Sequence, residues 1–133
     1  MIRFENRFDE YAYRVATREL DPSVDTLIEG QWVTIKNGKI VISDGTQKSF
    51  MVTTSRRPGR DNISMSNKAT YLHGNYEVTT DQFDTTAVYG DMTPLKVNED
   101  GILTVWNADE DSVHQIEAYA VQPPVDGFIR IIV

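Results

Sequence analysis

Short apolar runs separated by turn-forming residues set the texture of this chain. Residues 11–17 (YAYRVAT) alternate aromatic or apolar side chains with small or polar ones, the period-2 signature of a half-buried strand. Residues 31–35 (QWVTI) are aromatic and β-branched, and residues 40–43 (IVIS) and 48–54 (KSFMVTT) repeat that character. Further runs at residues 70–73, 75–80, 86–89, 93–97, 102–106, 115–121 and 128–133 complete the predicted strands. Asn37-Gly38 predicts a two-residue type I′ hairpin, because both central residues must take positive φ. Asp44-Gly45 predicts a second reversal, residues 98–101 another turn, and residues 123–127 a further loop. Gly74 interrupts a strand pattern and predicts a bulge or bend.

Only residues 22–28 offer a helical alternative, with Asp21 as cap and Pro22 at the first helical position, and a turn fits them equally well. The pattern therefore predicts an all-β, mostly antiparallel barrel or sandwich. Residues 1–25 read as an N-terminal arm and first strand, and residues 26–133 as the β-barrel domain. The expected core draws on Trp32, Val33, Ile35, Ile40, Ile42, Phe50, Val52, Val105, Ile116, Val121, Phe128 and Ile131. Residues 1–9 are half charged, with Phe4 and Phe8 too sparse to build a sheet face. They fit a disordered or edge-strand terminus, or an arm that orders on a partner with Phe4, Phe8 and Tyr11 as anchors.

At 133 residues the chain has the size of one ordinary domain. It has no cysteine, which excludes disulfides, thiolate zinc sites and cysteine nucleophiles. No apolar run approaches the length of a membrane-spanning helix, and the charged start lacks the apolar stretch of a signal peptide. The net charge of −7 argues against a general nucleic-acid binder, which needs a basic face. That charge is unevenly spread: residues 1–68 hold 11 basic and 9 acidic side chains, residues 69–133 hold 2 and 11. Two ends of different potential follow, unless the acidic half is simply a solvated surface.

Catalytic motifs are sparse. His73 and His114 have no His or Cys partner at metal-ligand spacing, and both fit structural roles better. No serine lies in a nucleophile elbow, and no phosphate-binding or dinucleotide-binding glycine pattern occurs. Asn107, Asp109 and Asp111 have the spacing that opens a calcium loop, but the later glycine and bidentate glutamate are missing, so a solvated turn is expected. Asp81 and Asp84 offer a carboxylate pair, which as a glycosidase would need an apolar cleft and one raised pKa. No cofactor and no metal ion is expected. The sharpest positive feature is Arg56-Arg57-Pro58-Gly59-Arg60: three guanidiniums on a proline-stiffened loop in an acidic protein. It is either an exposed polar loop or a contact loop for a carboxylate- or phosphate-bearing surface.

Residues 29–35 (EGQWVTI) followed by 37–41 (NGKIV) resemble the opening hairpin of the capsid decoration (cement) proteins of tailed bacteriophages. Residues 88–91 (VYGD), 93–97 (TPLKV), 100–103 (DGIL) and the closing 127–131 (GFIRI) extend the resemblance over about residues 27–133. The resemblance implies a small β-barrel or β-tulip domain with a flexible N-terminal arm. It implies a homotrimer without catalytic activity that binds the major capsid protein on the virion surface, with no nucleic-acid or membrane partner. Phe4, Phe8, Tyr11, Arg56, Arg57 and Arg60 are the expected partner-binding residues, although the resemblance itself supplies no role for the arginine loop. Two other classes compete. One is a carbohydrate- or receptor-binding β module of a phage tail or baseplate, with Trp32 and Trp106 stacking on sugars. The other is a small β enzyme using paired carboxylates.

Overall fold

The computed structural model describes residues 1–4, 13–53 and 67–133, with Phe4 described by its backbone alone. Eleven strands run in chain order: β1 (Ile2–Phe4), β2 (Tyr13–Glu19), β3 (Trp32–Lys36), β4 (Lys39–Ile42), β5 (Phe50–Thr53), β6 (Lys68–Gly74), β7 (Glu77–Thr80), β8 (Thr93–Val97), β9 (Leu103–Val105), β10 (Ala118–Ala120) and β11 (Ile129–Ile132). Among the described residues there is no helix; residues 22–28 begin as a turn, in which Val24 N–H donates to Asp21 O at 2.9 Å.

The strands form two antiparallel sheets. One has six strands in the order β1-β7-β11-β10-β8-β9, and the other five in the order β2-β6-β5-β3-β4. The all-β expectation holds, and it takes the sandwich form. Neither sheet closes into a barrel, although the five-stranded one curls until Leu20 bridges Ile40. The Asn37-Gly38 turn forms as predicted, with φ of 53° and 77° and Lys36 paired with Lys39. Gly74, at φ 106°, ends β6, and the chain then crosses to the other sheet as β7. Residues 86–89, predicted as a strand, form an irregular turn instead. Asp84 accepts both the amide and the hydroxyl of Thr86, a local bond that competes with strand pairing.

Alternation within the strands builds two apolar clusters. The larger lies between the sheets: Trp32, Met51 and Leu72 from one meet Val78, Leu95, Ile129 and Ile131 from the other. The smaller covers the opposite face of the five-stranded sheet, where Val33, Ile40, Val52 and Tyr71 pack beneath Leu20, Val24 and Leu27. Of the expected core, Trp32, Val33, Ile40, Val52 and Ile131 are buried, and Ile35, Phe50, Val105, Val121 and Phe128 are half-buried. Two residues correct that list. Ile42 ends edge strand β4 beyond the Leu20–Ile40 bridge, where only β3 pairs with it, and is 37% exposed. Ile116 lies before β10 begins and is 39% exposed, because the next side chain, Glu117, is the one that turns inward, accepting Ser49 N–H.

At this junction the contacts between the sheets are polar and close. Gln115 N–H donates to Gly45 O at 3.2 Å, and Trp32 N–H donates to Gly101 O at 2.7 Å. Gly45 has φ 84°, and a Cβ there would lie 2.0 Å from Val97 O, so no side chain fits. Residues 2–4 of the expected arm form edge strand β1, paired with β7. Ile2 N–H donates to the Glu29 carboxylate at 2.9 Å, and the Met1 ammonium donates to Asp81 at 2.8 Å. An edge strand is thereby capped by side chains of its own protein.

Candidate binding surface

Phe4 lies in β1 opposite Val78. The other expected partner-binding residues, Phe8, Tyr11, Arg56, Arg57 and Arg60, fall outside the described residues.

Two clusters gather the titratable groups. Glu117 has a side chain only 1% exposed, with Lys48 Nζ at 3.7 Å and the Ser49 amide donating at 3.2 Å. Burial pushes its pKa up, against the opposing pull of Lys48 and Ser49. The Tyr76 phenol is pushed up as well, by its own burial and by the Glu117 charge. Ser49 and Ser43 bond each other through their hydroxyls, and Ser43 Oγ accepts Gly45 N–H at 3.0 Å. The cluster thus lies where the β4–β5 connection meets the segment before β10.

Asp111 organises the second cluster. Burial disfavours its charge, but hydrogen bonds from Lys96 Nζ and from Asn107 N–H at 2.7 Å outweigh that and hold its pKa low. His114 Nδ1 lies 3.7 Å from the same carboxylate. The indole Nε1 of Trp106 donates to Asp111 O and His114 O, each at 3.1 Å. The Asn107, Asp109, Asp111 spacing therefore serves a folded loop: Asn107 accepts Asp109 N–H, and Asp111 accepts Asn107 N–H. Asp81 and Asp84 are likewise engaged, Asp81 by the terminal ammonium and Asp84 by Thr86 and Thr104.

The tryptophans do not form a paired platform. Trp32 is 1% exposed inside the main core, while Trp106 is half-buried with its indole nitrogen tied to backbone.

What remains open is the outer face of the six-stranded sheet. Strand register places Glu77 beside Ile132, Ile132 beside Tyr119, and Tyr119 beside Pro94. Trp106 N–H donates to Pro94 O at 2.9 Å, which continues the row. Neighbouring strands lie about 4.8 Å apart, so Ile132 to Trp106 spans roughly 14 Å. Ile132 and Tyr119 are each 39% exposed, and Met92, just before β8, is 54% exposed. Basic groups on this face are already engaged: Arg130 Nε donates to Glu77 at 3.0 Å, Lys96 bonds Asp111, and Arg3 stacks over Phe128 at 4.7 Å. In the surrounding loops Asp91, Glu99, Asp100, Asp109, Glu110 and Asp126 are exposed, and none forms an ion pair among the described residues. Sequence reasoning missed this face, although the alternation of residues 115–121 already turns Tyr119 away from its alanine neighbours. No family model and no curated protein matches the chain.

Proposed function

We propose that this protein is a non-enzymatic structural protein that binds the outer surface of a tailed-phage capsid and stabilises it. The observation that carries this reading is the open outer face of the six-stranded sheet, an apolar row backed by a rigid core and ringed by exposed carboxylates. An exposed apolar patch with a polar rim is the anatomy of a protein-binding surface. The resemblance of residues 29–41, 88–103 and 127–131 to decoration proteins supplies the class of partner, a major capsid protein, and the homotrimeric form. Repetition over a shell makes a modest contact effective through multivalency. The acidic half, with 2 basic against 11 acidic side chains, disfavours a nucleic-acid partner. The sugar-binding reading loses its main support, since burial of Trp32 removes the paired indole platform it requires.

The test is co-sedimentation of the purified full chain with expanded capsids, followed by heating of the decorated shells. The expected outcome is saturable binding in multiples of three copies and a higher temperature of shell disruption. Free protein left in the supernatant at every concentration removes the capsid reading.

A further inference from the structure

We infer that the open face of the six-stranded sheet docks a protein surface with an apolar centre and a rim of lysine and arginine side chains. This rests on the reading of the protein as a binding module, and it adds the docking face and the chemistry of the partner.

Three observations carry it. The first is the row Ile132, Tyr119, Pro94 and Trp106, set by strand register on four adjacent strand lines and flanked by Met92. Two of its members are fixed in place: Trp106 by its indole bonds to Asp111 O and His114 O, and Pro94 by its ring. A pre-organised centre loses little freedom on binding. The second is the engagement of the basic groups here, Arg130 by Glu77 and Lys96 by Asp111. An acidic partner would have to compete with those internal pairs. The third is the rim. Asp91 and Asp126 lie at the end where β8 and β11 begin, Asp109 and Glu110 in the turn that follows Trp106, itself opposite Pro94 at the start of β8, and Glu99 and Asp100 at the other end. All six carboxylates are exposed and without an ion pair among the described residues. Charge complementarity then selects a basic rim on the partner, which speeds encounter and makes it salt-sensitive.

Among the described residues, the strands of the other sheet expose large apolar side chains only singly, Val15 in β2 and Ile42 in β4 on opposite faces. Over Val33, Ile40, Val52 and Tyr71 its second side is covered by Leu20, Val24 and Leu27 of the same chain.

The probe is a capped octapeptide that alternates leucine and lysine, an extended cation with one apolar face. The isotopically labelled full chain is titrated with it and followed by NMR at about 0.05 M and about 0.5 M salt. The expected result is shifts at Tyr119, Ile132 and the Trp106 indole N–H, with binding about tenfold weaker at the higher salt. A matching peptide with serine in place of leucine should bind at least about tenfold more weakly, because it lacks the apolar face. Tyr119→Asp should abolish the shifts. Tyr119→Ser and Ile132→Ser, which keep the surface uncharged, provide the same test should the aspartate variant unfold. Shifts that map to β2 and β6, equal binding of the serine peptide, or unchanged binding by folded Tyr119→Ser would each overturn the inference. Capsids separate this inference from the functional reading. Shells that ignore the parent while the leucine peptide binds remove the capsid partner and leave the face assigned. Shells that bind the parent and Tyr119→Ser equally well place capsid docking on another surface and overturn the assignment.

Discussion

The two sheets solve the same problem in different ways. Each has one face against the main core. The five-stranded sheet buries the middle of its second face as well, because residues 20–27 fold back over Val33, Ile40, Val52 and Tyr71. The six-stranded sheet leaves its second face to solvent, with Tyr119 and Ile132 each 39% exposed. The segment between β2 and β3 makes the difference, carrying Leu20, Val24 and Leu27 at spacings that reach across the curled sheet. Charge follows the same division. The acidic half of the sequence supplies β7 to β11 and their loops, so an imbalance along the chain becomes one between the sheets. A sheet covered on both sides serves stability, whereas a sheet covered on one side keeps a surface for a partner.

That contrast can be broken first at the junction between the sheets. Gly45→Ala puts a Cβ 2.0 Å from Val97 O at φ 84°, so the β4–β5 connection must move away from β8. The expected loss is at least about 3 kcal/mol, read as a lower urea midpoint. A midpoint close to the parent's would mean that the sheets do not meet there. Next comes the cover itself. Leu27 is fully buried, and Leu27→Ala should cost about 2–5 kcal/mol. Ile116→Ala, at a residue 39% exposed, should stay within about 1 kcal/mol of the parent. Equal losses in the two variants would erase the distinction between a covered and an open sheet.

The smallest effects are pH-dependent and opposite in sign. Burial raises the Glu117 pKa in the fold, so the folded chain binds more protons than the unfolded one within that window. Stability therefore falls as pH rises through the window, and the penalty is absent below the ordinary carboxylate range. Glu117→Gln should be more stable than the parent at neutral pH, with the gap closing in acid. Asp84 behaves in the reverse way. Hydrogen bonds from the Thr86 hydroxyl and amide lower its pKa, so its contribution is present at neutral pH and fades as pH falls through the lowered value. Asp84→Asn should be less stable than the parent at neutral pH and equal to it in strong acid. Urea midpoints measured across the acid range check both signs, and parallel curves for the two variants would contradict this account of the carboxylates.

Local chemistry was legible in the sequence wherever one or two residues decide the backbone. Asn37-Gly38 forces a reversed turn, and Ile131 of the last strand is buried as expected, although strict alternation buries Ile129 with it and leaves the expected Phe128 half-buried. Legibility failed where a side chain or a distant segment overrides the local pattern. Residues 86–89 have strand composition, yet Asp84 captures Thr86, and Val88 ends 90% exposed. Ile116 sits in an alternating run, but the bonds of Gln115 and Glu117 to the β4–β5 connection delay the strand by three residues, to Ala118. The crossing from β6 to β7 leaves no local trace beyond Gly74. The open face was half legible: alternation marks Tyr119 as outward, but its neighbours Ile132, Pro94 and Trp106 come from strand pairings that a linear pattern does not encode.

Strand order also carries a consequence for assembly in time. The five-stranded sheet uses one continuous stretch of chain, from Tyr13 to Gly74. The six-stranded sheet has β11, the last strand, seated between β7 and β10, and β1, the first, paired with β7 across most of the chain. Pairings this distant in sequence carry a larger closure entropy and form late. On a ribosome, the covered sheet has all its strands before β11 is made, whereas the open face has no continuous surface until β11 slots in. In pulsed hydrogen exchange during refolding, amides of β3 and β5 should therefore gain protection before those of β10 and β11. The partner-facing row, which includes Ile132 of that last strand, is then among the last surfaces the protein builds.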